Sequence, residues 1–307
     1  MNNSFTRFST QNSEAVLSLD VHEEGKSLAV GQHDDYESKR VLSLWSLPEL
    51  QLVTTLVESG QCLAARFVRG GPWLAYSDHD QNMVLHDLNT GIGNREAFPL
   101  TFTKWISAAW NSPRVIAGGT RTQVWDADSN AVIWTLPIEP LPEDAGITPP
   151  ACAISADGLL VAASGVEPGR IVIYEISSGK VIKRIENTMD AARSVAFDPS
   201  GRFVAAVAIR GGAGLWELEG GTARLPEMLD MRADYYWCVR FHPDGRRVAL
   251  GLMSGFVEVI EIETGAYSVN LETAPHLGRV RDLAITRDGK QMFTGADDGA
   301  ILIWELE

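Results

Sequence analysis

Residues 281–306 read RDLAITRDGKQMFTGADDGAILIWEL, and this stretch decides the fold. An apolar strand runs into Asp288-Gly289, a second strand follows, and Asp298-Gly299 turns the chain into a third strand that ends on Trp304 and an acid. Asp-Gly between short apolar runs is a hairpin signal, because glycine adopts the positive φ that tight turns require. The same scheme recurs in residues 193–218, RSVAFDPSGRFVAAVAIRGGAGLWEL, and in 240–262, RFHPDGRRVALGLMSGFVEVIEI, where Ile260 stands in the Trp position. Working outward, seven units end their third strands on Trp45, His86, Trp125, Tyr174, Trp216, Ile260 and Trp304, at intervals of 41, 39, 49, 42, 44 and 44 residues. A turn glycine precedes that position by 15 residues in four of them, pairing Gly71, Gly201, Gly245 and Gly289 with His86, Trp216, Ile260 and Trp304. A period of this length marks units that must stack on their neighbours to bury their apolar faces. Continuous apolar runs such as 203–208, FVAAVA, fit strands covered on both sides, and helical periodicity is absent.

With those motifs in place the chain resembles the WD40 family of β-propellers along nearly its whole length. Trp125-Asp126 is a WD ending, and Trp216-Glu217 and Trp304-Glu305 replace the Asp by Glu. The resemblance implies an all-β, seven-bladed propeller of four-stranded antiparallel blades, strand a innermost and strand d outermost, forming one domain over residues 1–307. It also implies a hydrogen-bonded set in the last unit made of His276, Thr294, Asp298 and Trp304. Asp80 occupies the same turn position in the second unit; Gly119, Pro168, Arg210 and Ser254 replace it elsewhere, and the first unit's turn is too long to align. The chain therefore resembles a degenerate member of that family. The last unit supplies only three strands, so the N-terminal segment Ser4–Ser9 is expected to complete that blade and remove an open edge.

Composition narrows the function classes. Forty acidic against 26 basic residues give a net charge of −14, which disfavours nucleic acid and anionic membranes as partners and favours a protein or peptide with basic segments. Cys62, Cys152 and Cys238 are read as reduced core residues on strand a of three blades, not as a disulfide framework. No signal-peptide pattern and no bilayer-length apolar stretch is found, so a cytoplasmic location is expected.

In a propeller the d–a and b–c connections share one face, here called the top. Two insertions fall there, one around residues 33–40 and one over 136–150, where five prolines stiffen the backbone. The first exposed position of strand a, at the top rim of the central channel, reads Leu17, Leu63, Ile106, Pro150, Arg193, Trp237 and Arg281. This row resembles the rim with which many WD40 proteins hold partner peptides. Trp and Arg combine large contact area with directional polar groups and dominate binding hot spots, so Trp237 between two arginines, with Tyr235 beside it, is the expected centre of contact.

Catalysis finds little support. The rim row contains no metal ligand. His33, Asp34, Asp35, Asp78, His79, Asp80, Asp297 and Asp298 fall on b–c turns of blades one, two and seven, but without metal-ligand spacing. No G-x-S-x-G elbow occurs, and the glycines of 211–214 are followed by neither Lys-Ser/Thr nor a helix. The expectation is a non-catalytic protein-binding scaffold or complex subunit with no cofactor and no metal. The rival readings are a propeller enzyme or metal-dependent binder using the acidic top sector, and small-ligand recognition in the channel.

Overall fold

The computed structural model describes residues 5–9, 14–33, 41–58, 61–78, 83–94, 105–119, 121–137, 150–186, 192–208, 212–219, 235–269 and 275–306. Seven antiparallel sheets follow one another along the chain and form a propeller ring. Blade one, for example, consists of strands a to d at Val16–Val21, Ser27–Gln32, Leu42–Ser46 and Leu52–Val57. Six sheets have four strands; in the fifth blade three strands, Ala192–Phe197, Phe203–Ala208 and Ala213–Glu217, lie among the described residues.

The core is distributed between the blades. It resolves into seven apolar clusters, and each draws on two adjacent blades. Ala205, Val207 and Leu215 of blade five pack with Tyr236, Val239 and Leu250 of blade six, and the next cluster joins blade six to blade seven. The closing cluster joins Phe293 and Ile301 of blade seven to Leu19 and Trp45 of blade one. Each buried Leu or Phe in such a cluster contributes roughly 1.5–3 kcal/mol. No blade can claim that stabilisation alone, which is the physical reason for the repeat. Ile260 is buried in the cluster between blades five and six and fills the Trp position with aliphatic volume.

Ring closure uses the N-terminal strand, Phe5–Ser9, which pairs antiparallel with Ala300–Glu305. Phe5 lies against Trp304 with ring centroids 4.9 Å apart, and Phe8 meets the edge of Trp45 in blade one at 5.1 Å. The closing strand therefore completes one blade and fastens it to the next.

Two sequence expectations shift. In blade two the left-handed turn residue is Gly70, at φ 83°, and not Gly71, because the a–b turn is set one residue earlier. Cys62 is buried but precedes strand a of its blade, Ala65–Val68, whereas Cys152 and Cys238 lie within theirs. Asp80, Arg210, and most of both insertions, residues 34–40 and 138–149, are outside the described residues.

Candidate functional site

The site is built by bulges. Strand a begins with a register shift in blades one, five, six and seven, between Val16 and Ser18, Ala192 and Ser194, Tyr236 and Cys238, and Val280 and Asp282. The extra residue of a bulge is left out of the ladder and its side chain is re-aimed. Those residues are Leu17, Arg193, Trp237 and Arg281, all partly buried at the channel mouth. Leu63 is partly buried in blade two, and Pro150 is buried in blade four. Ile106 does not belong to this row. It is 5% exposed, packs in the cluster containing Ala117 and Trp125, and pairs with Ala117. In blade three the strand register puts Ile106 two residues past the rim, and the position that matches Arg193 is residue 104, outside the described residues.

Around Trp237 the structure gathers more than the rim row foresaw. The guanidinium of Arg193 stacks 3.1 Å from the centre of the Trp237 ring, and those of Arg281 and Arg279 lie at 4.8 and 4.9 Å. Stacking of a cation on the negative face of an indole contributes about 0.5–2 kcal/mol. Asp297, from the b–c turn of blade seven, accepts hydrogen bonds from Nε of Arg279 at 2.6 Å and of Arg281 at 2.5 Å. Nε of Arg193 is buried with no hydrogen-bond partner among the described residues. Burial, together with repulsion from Arg281 and Arg279, pushes Arg193 down to about 10. Tyr235 stands 47% exposed just before strand a of blade six, and Leu277 stands 88% exposed in the loop before strand a of blade seven.

Arg279 was not foreseen: it lies in the loop before strand Val280–Ile285, and its closeness in sequence to Arg281 was the available signal. The net charge pointed to basic partners, yet at this mouth three guanidiniums face one carboxylate.

Below the mouth the channel holds a second charged group. Asp282 accepts from Arg240 at 2.7 Å, from Arg66 at 2.8 Å and from the backbone N–H of Leu19 at 3.0 Å. Asp20 accepts from the N–H of Phe67 at 2.7 Å. Burial would raise the Asp282 carboxyl, but the Arg240 and Arg66 charges hold it below the ordinary range. For Asp20 burial wins over Arg69 and Arg66, and its carboxyl is raised. These residues were missed because each was read within its own strand; their shared channel-facing register was the available signal. The cavity they line, with Leu17, Leu63 and Trp237 above, has a volume of about 150 Å³.

The four residues of the last unit are in mutual contact. Trp304 donates its indole N–H to the Thr294 hydroxyl at 3.0 Å, the hydroxyl lies 2.9 Å from Nε2 of His276, and Nδ1 of His276 lies 3.1 Å from Asp298. An indole only donates and a carboxylate only accepts, so a neutral ring protonated on Nδ1 satisfies every member. Asp298 also accepts from the N–H of Leu277, which anchors the loop that carries the exposed leucine and Arg279.

Groups that could do chemistry are committed elsewhere. Burial pushes each of the three cysteines up to about 12, so they are thiols and poor nucleophiles. In the acidic sector Asp297 serves the arginines, Asp298 pairs with His276 and Arg7, and Asp78 is buried. His79 and Asp80, with Asp34 and Asp35, lie outside the described residues. Among the described residues no group of three or more His, Cys, Asp or Glu could hold a metal ion. No described helix is long and apolar enough to cross a membrane.

Comparison with known proteins places this architecture. Residues 270–305 match the family described as WD domain, G-beta repeat. A WD repeat-containing protein of Schistosoma mansoni, SL1-17, is 22% identical over 153 residues, covering 50% of this chain and 49% of that protein. The match thus spans about half the length of that relative. Seven blades joined by inter-blade cores form a β-propeller, and its last blade matches the WD-repeat model and holds His276, Thr294, Asp298 and Trp304 in contact.

Proposed function

We propose that the protein is a non-catalytic interaction platform, a scaffold or complex subunit, which engages a protein partner through the top mouth of its channel around Trp237. Propellers of this family generally mediate protein interactions. The observation that supports this site is the Trp237 cluster itself. A large aromatic ring, three arginines, and the exposed Tyr235 and Leu277 concentrate at one sector of one face. Trp, Tyr and Arg carry binding energy because they offer contact area and directional polar groups together. Leu17 and Leu63 extend the same mouth with an aliphatic arc on blades one and two.

The test is quantitative affinity purification from the native cell with the intact chain, its Trp237→Ala variant and its Arg193→Ala variant. Partners that engage the mouth are expected to fall at least about tenfold in recovery, since hot-spot truncations cost about 2 kcal/mol or more. Equal melting of the three proteins shows that the ring is intact. An unchanged set of partners at unchanged recovery refutes the assignment.

A further inference from the structure

Resting on the reading of the mouth as a partner site, the geometry points to an acidic segment of a protein as its occupant, with aspartate or glutamate side chains over Arg193 and an apolar residue against Leu277 and Tyr235.

Charge balance is the first argument. Within 5 Å of the Trp237 ring centre lie the guanidiniums of Arg193, Arg279 and Arg281, and Asp297 is the one carboxylate paired with any of them among the described residues. Asp297 is already divided between Arg279 and Arg281. Arg193 receives nothing from it. Its buried Nε is an unused donor, and a desolvated donor without an acceptor costs about 1–3 kcal/mol or more. A carboxylate supplied from outside would bring the counter-charge that Arg193 lacks among the described residues and offset the repulsion among three like charges. Asp297 shows the geometry by which this cluster takes a carboxylate, bridging two guanidiniums through their Nε atoms.

The second argument is what surrounds the cations. Leu277 and Tyr235 are the exposed large apolar side chains beside these cations among the described residues. The Leu277 loop is fixed. Its N–H is held by Asp298, and its neighbour Gly278 packs against Asp297 so closely that an added Cβ would fall 2.8 Å from the Asp297 side chain. The apolar and cationic parts of the surface are therefore held in one register, which suits a segment that alternates acidic and apolar groups. The chain's charge of −14 does not oppose this at physiological salt. With a Debye length of about 8 Å, distant carboxylates are screened, while contacts at the mouth persist.

The experiment is fluorescence polarisation with two labelled peptides of equal length: a glutamate-rich peptide with a central leucine, and its counterpart with lysine in place of each glutamate. The intact chain is expected to bind the glutamate peptide. Arg193→Glu, and independently Arg279→Glu on a more exposed guanidinium, should weaken that binding at least about tenfold. Melting curves verify folding, and the Arg279 variant carries the test if the Arg193 variant does not fold. Tighter binding of the lysine peptide, lost in Trp237→Ala, overturns the acidic assignment and leaves the mouth as a partner site. Binding of either peptide that is indifferent to both Trp237→Ala and the charge reversals overturns both. Absence of glutamate-peptide binding to the intact chain overturns the acidic assignment.

Discussion

At the scale of single residues, the chain shows how one polar set is made safe in an apolar core. Trp304 and Thr294 are buried, and a buried donor or hydroxyl without a partner would be costly. Thr294 answers the indole, His276 answers Thr294, and Asp298 answers His276. Burial alone would raise the Asp298 carboxyl. The bonds from His276, from the Leu277 N–H and from the Ala300 N–H outweigh it, and the group is held far below its ordinary 3.8. A carboxyl whose folded value is depressed contributes stability that is complete above the unfolded value and is lost as pH falls toward the folded one. Asp298→Asn is therefore expected to cost about 2 kcal/mol at neutral pH, in line with hydrogen bonds to a charged group. The difference in melting temperature between the two proteins should shrink as pH drops below about 3.8. A gap that stays constant from pH 7 to pH 2.5 would show that the ionised carboxylate is not what holds this corner.

At the scale of elements, what the sequence reveals depends on whether the signal lies within one strand or between strands. The turn glycines Gly201, Gly245 and Gly289, at φ 73°, 68° and 73°, are local requirements, and they sit where the 15-residue offset put them. Trp45, Trp125, Trp216 and Trp304 end third strands in the same way. The bulges that aim Arg193, Trp237 and Arg281 into the mouth are also local. Ile106 sits two positions beyond the rim, because the pairing of strand Trp105–Ala108 with Arg114–Gly118 sets blade three in a different register from the one its turn suggested. The Arg279–Asp297 pair joins a d–a loop to a b–c turn, and the ions of the channel join separate blades, so no single-strand pattern announces them. The N-terminal strand is intermediate. Strand count predicted its pairing, but not that Phe8 would reach Trp45 of the neighbouring blade. Removing residues 1–9 should thus expose the edge of Ala300–Glu305 and uncover both Trp304 and Trp45. Losing the two Phe contacts costs on the order of 3 kcal/mol or more. The expected result is an apparent melting temperature lower by at least about 5 °C, with a tendency to associate through the open edge. A truncated chain that melts with the intact one would mean that the closing strand adds no net stability.

For the whole molecule, a ring of blades has one structural problem that no blade has alone: its first and last members must stay together around a central hole. The outer closing strand and the apolar cluster between blades seven and one meet part of this, and on the channel side one carboxylate ties the seam. Asp282, in blade seven, accepts from Leu19 in blade one, from Arg66 in blade two and from Arg240 in blade six. It spans the seam between blades seven and one, with its side chain only 5% exposed. Arg66 spreads the connection by also donating to the Ala65 carbonyl at 2.7 Å and the Ser18 hydroxyl at 2.9 Å. Replacing Asp282 by Ala would leave two guanidiniums facing each other across the channel without their shared counter-ion. Removing one member of a buried ion group typically costs about 3–5 kcal/mol, much of it from the charges left behind. Asp282→Ala should therefore destabilise the ring by that amount in equilibrium denaturation, and adding Arg240→Ala should recover part of the loss by removing one of the stranded cations. The coupling between the two changes, read from the full cycle of single and double variants, measures how much of the seam is electrostatic. A loss below about 0.5 kcal/mol for Asp282→Ala, within the range of ordinary surface changes, would assign closure to the outer strand and the apolar clusters instead.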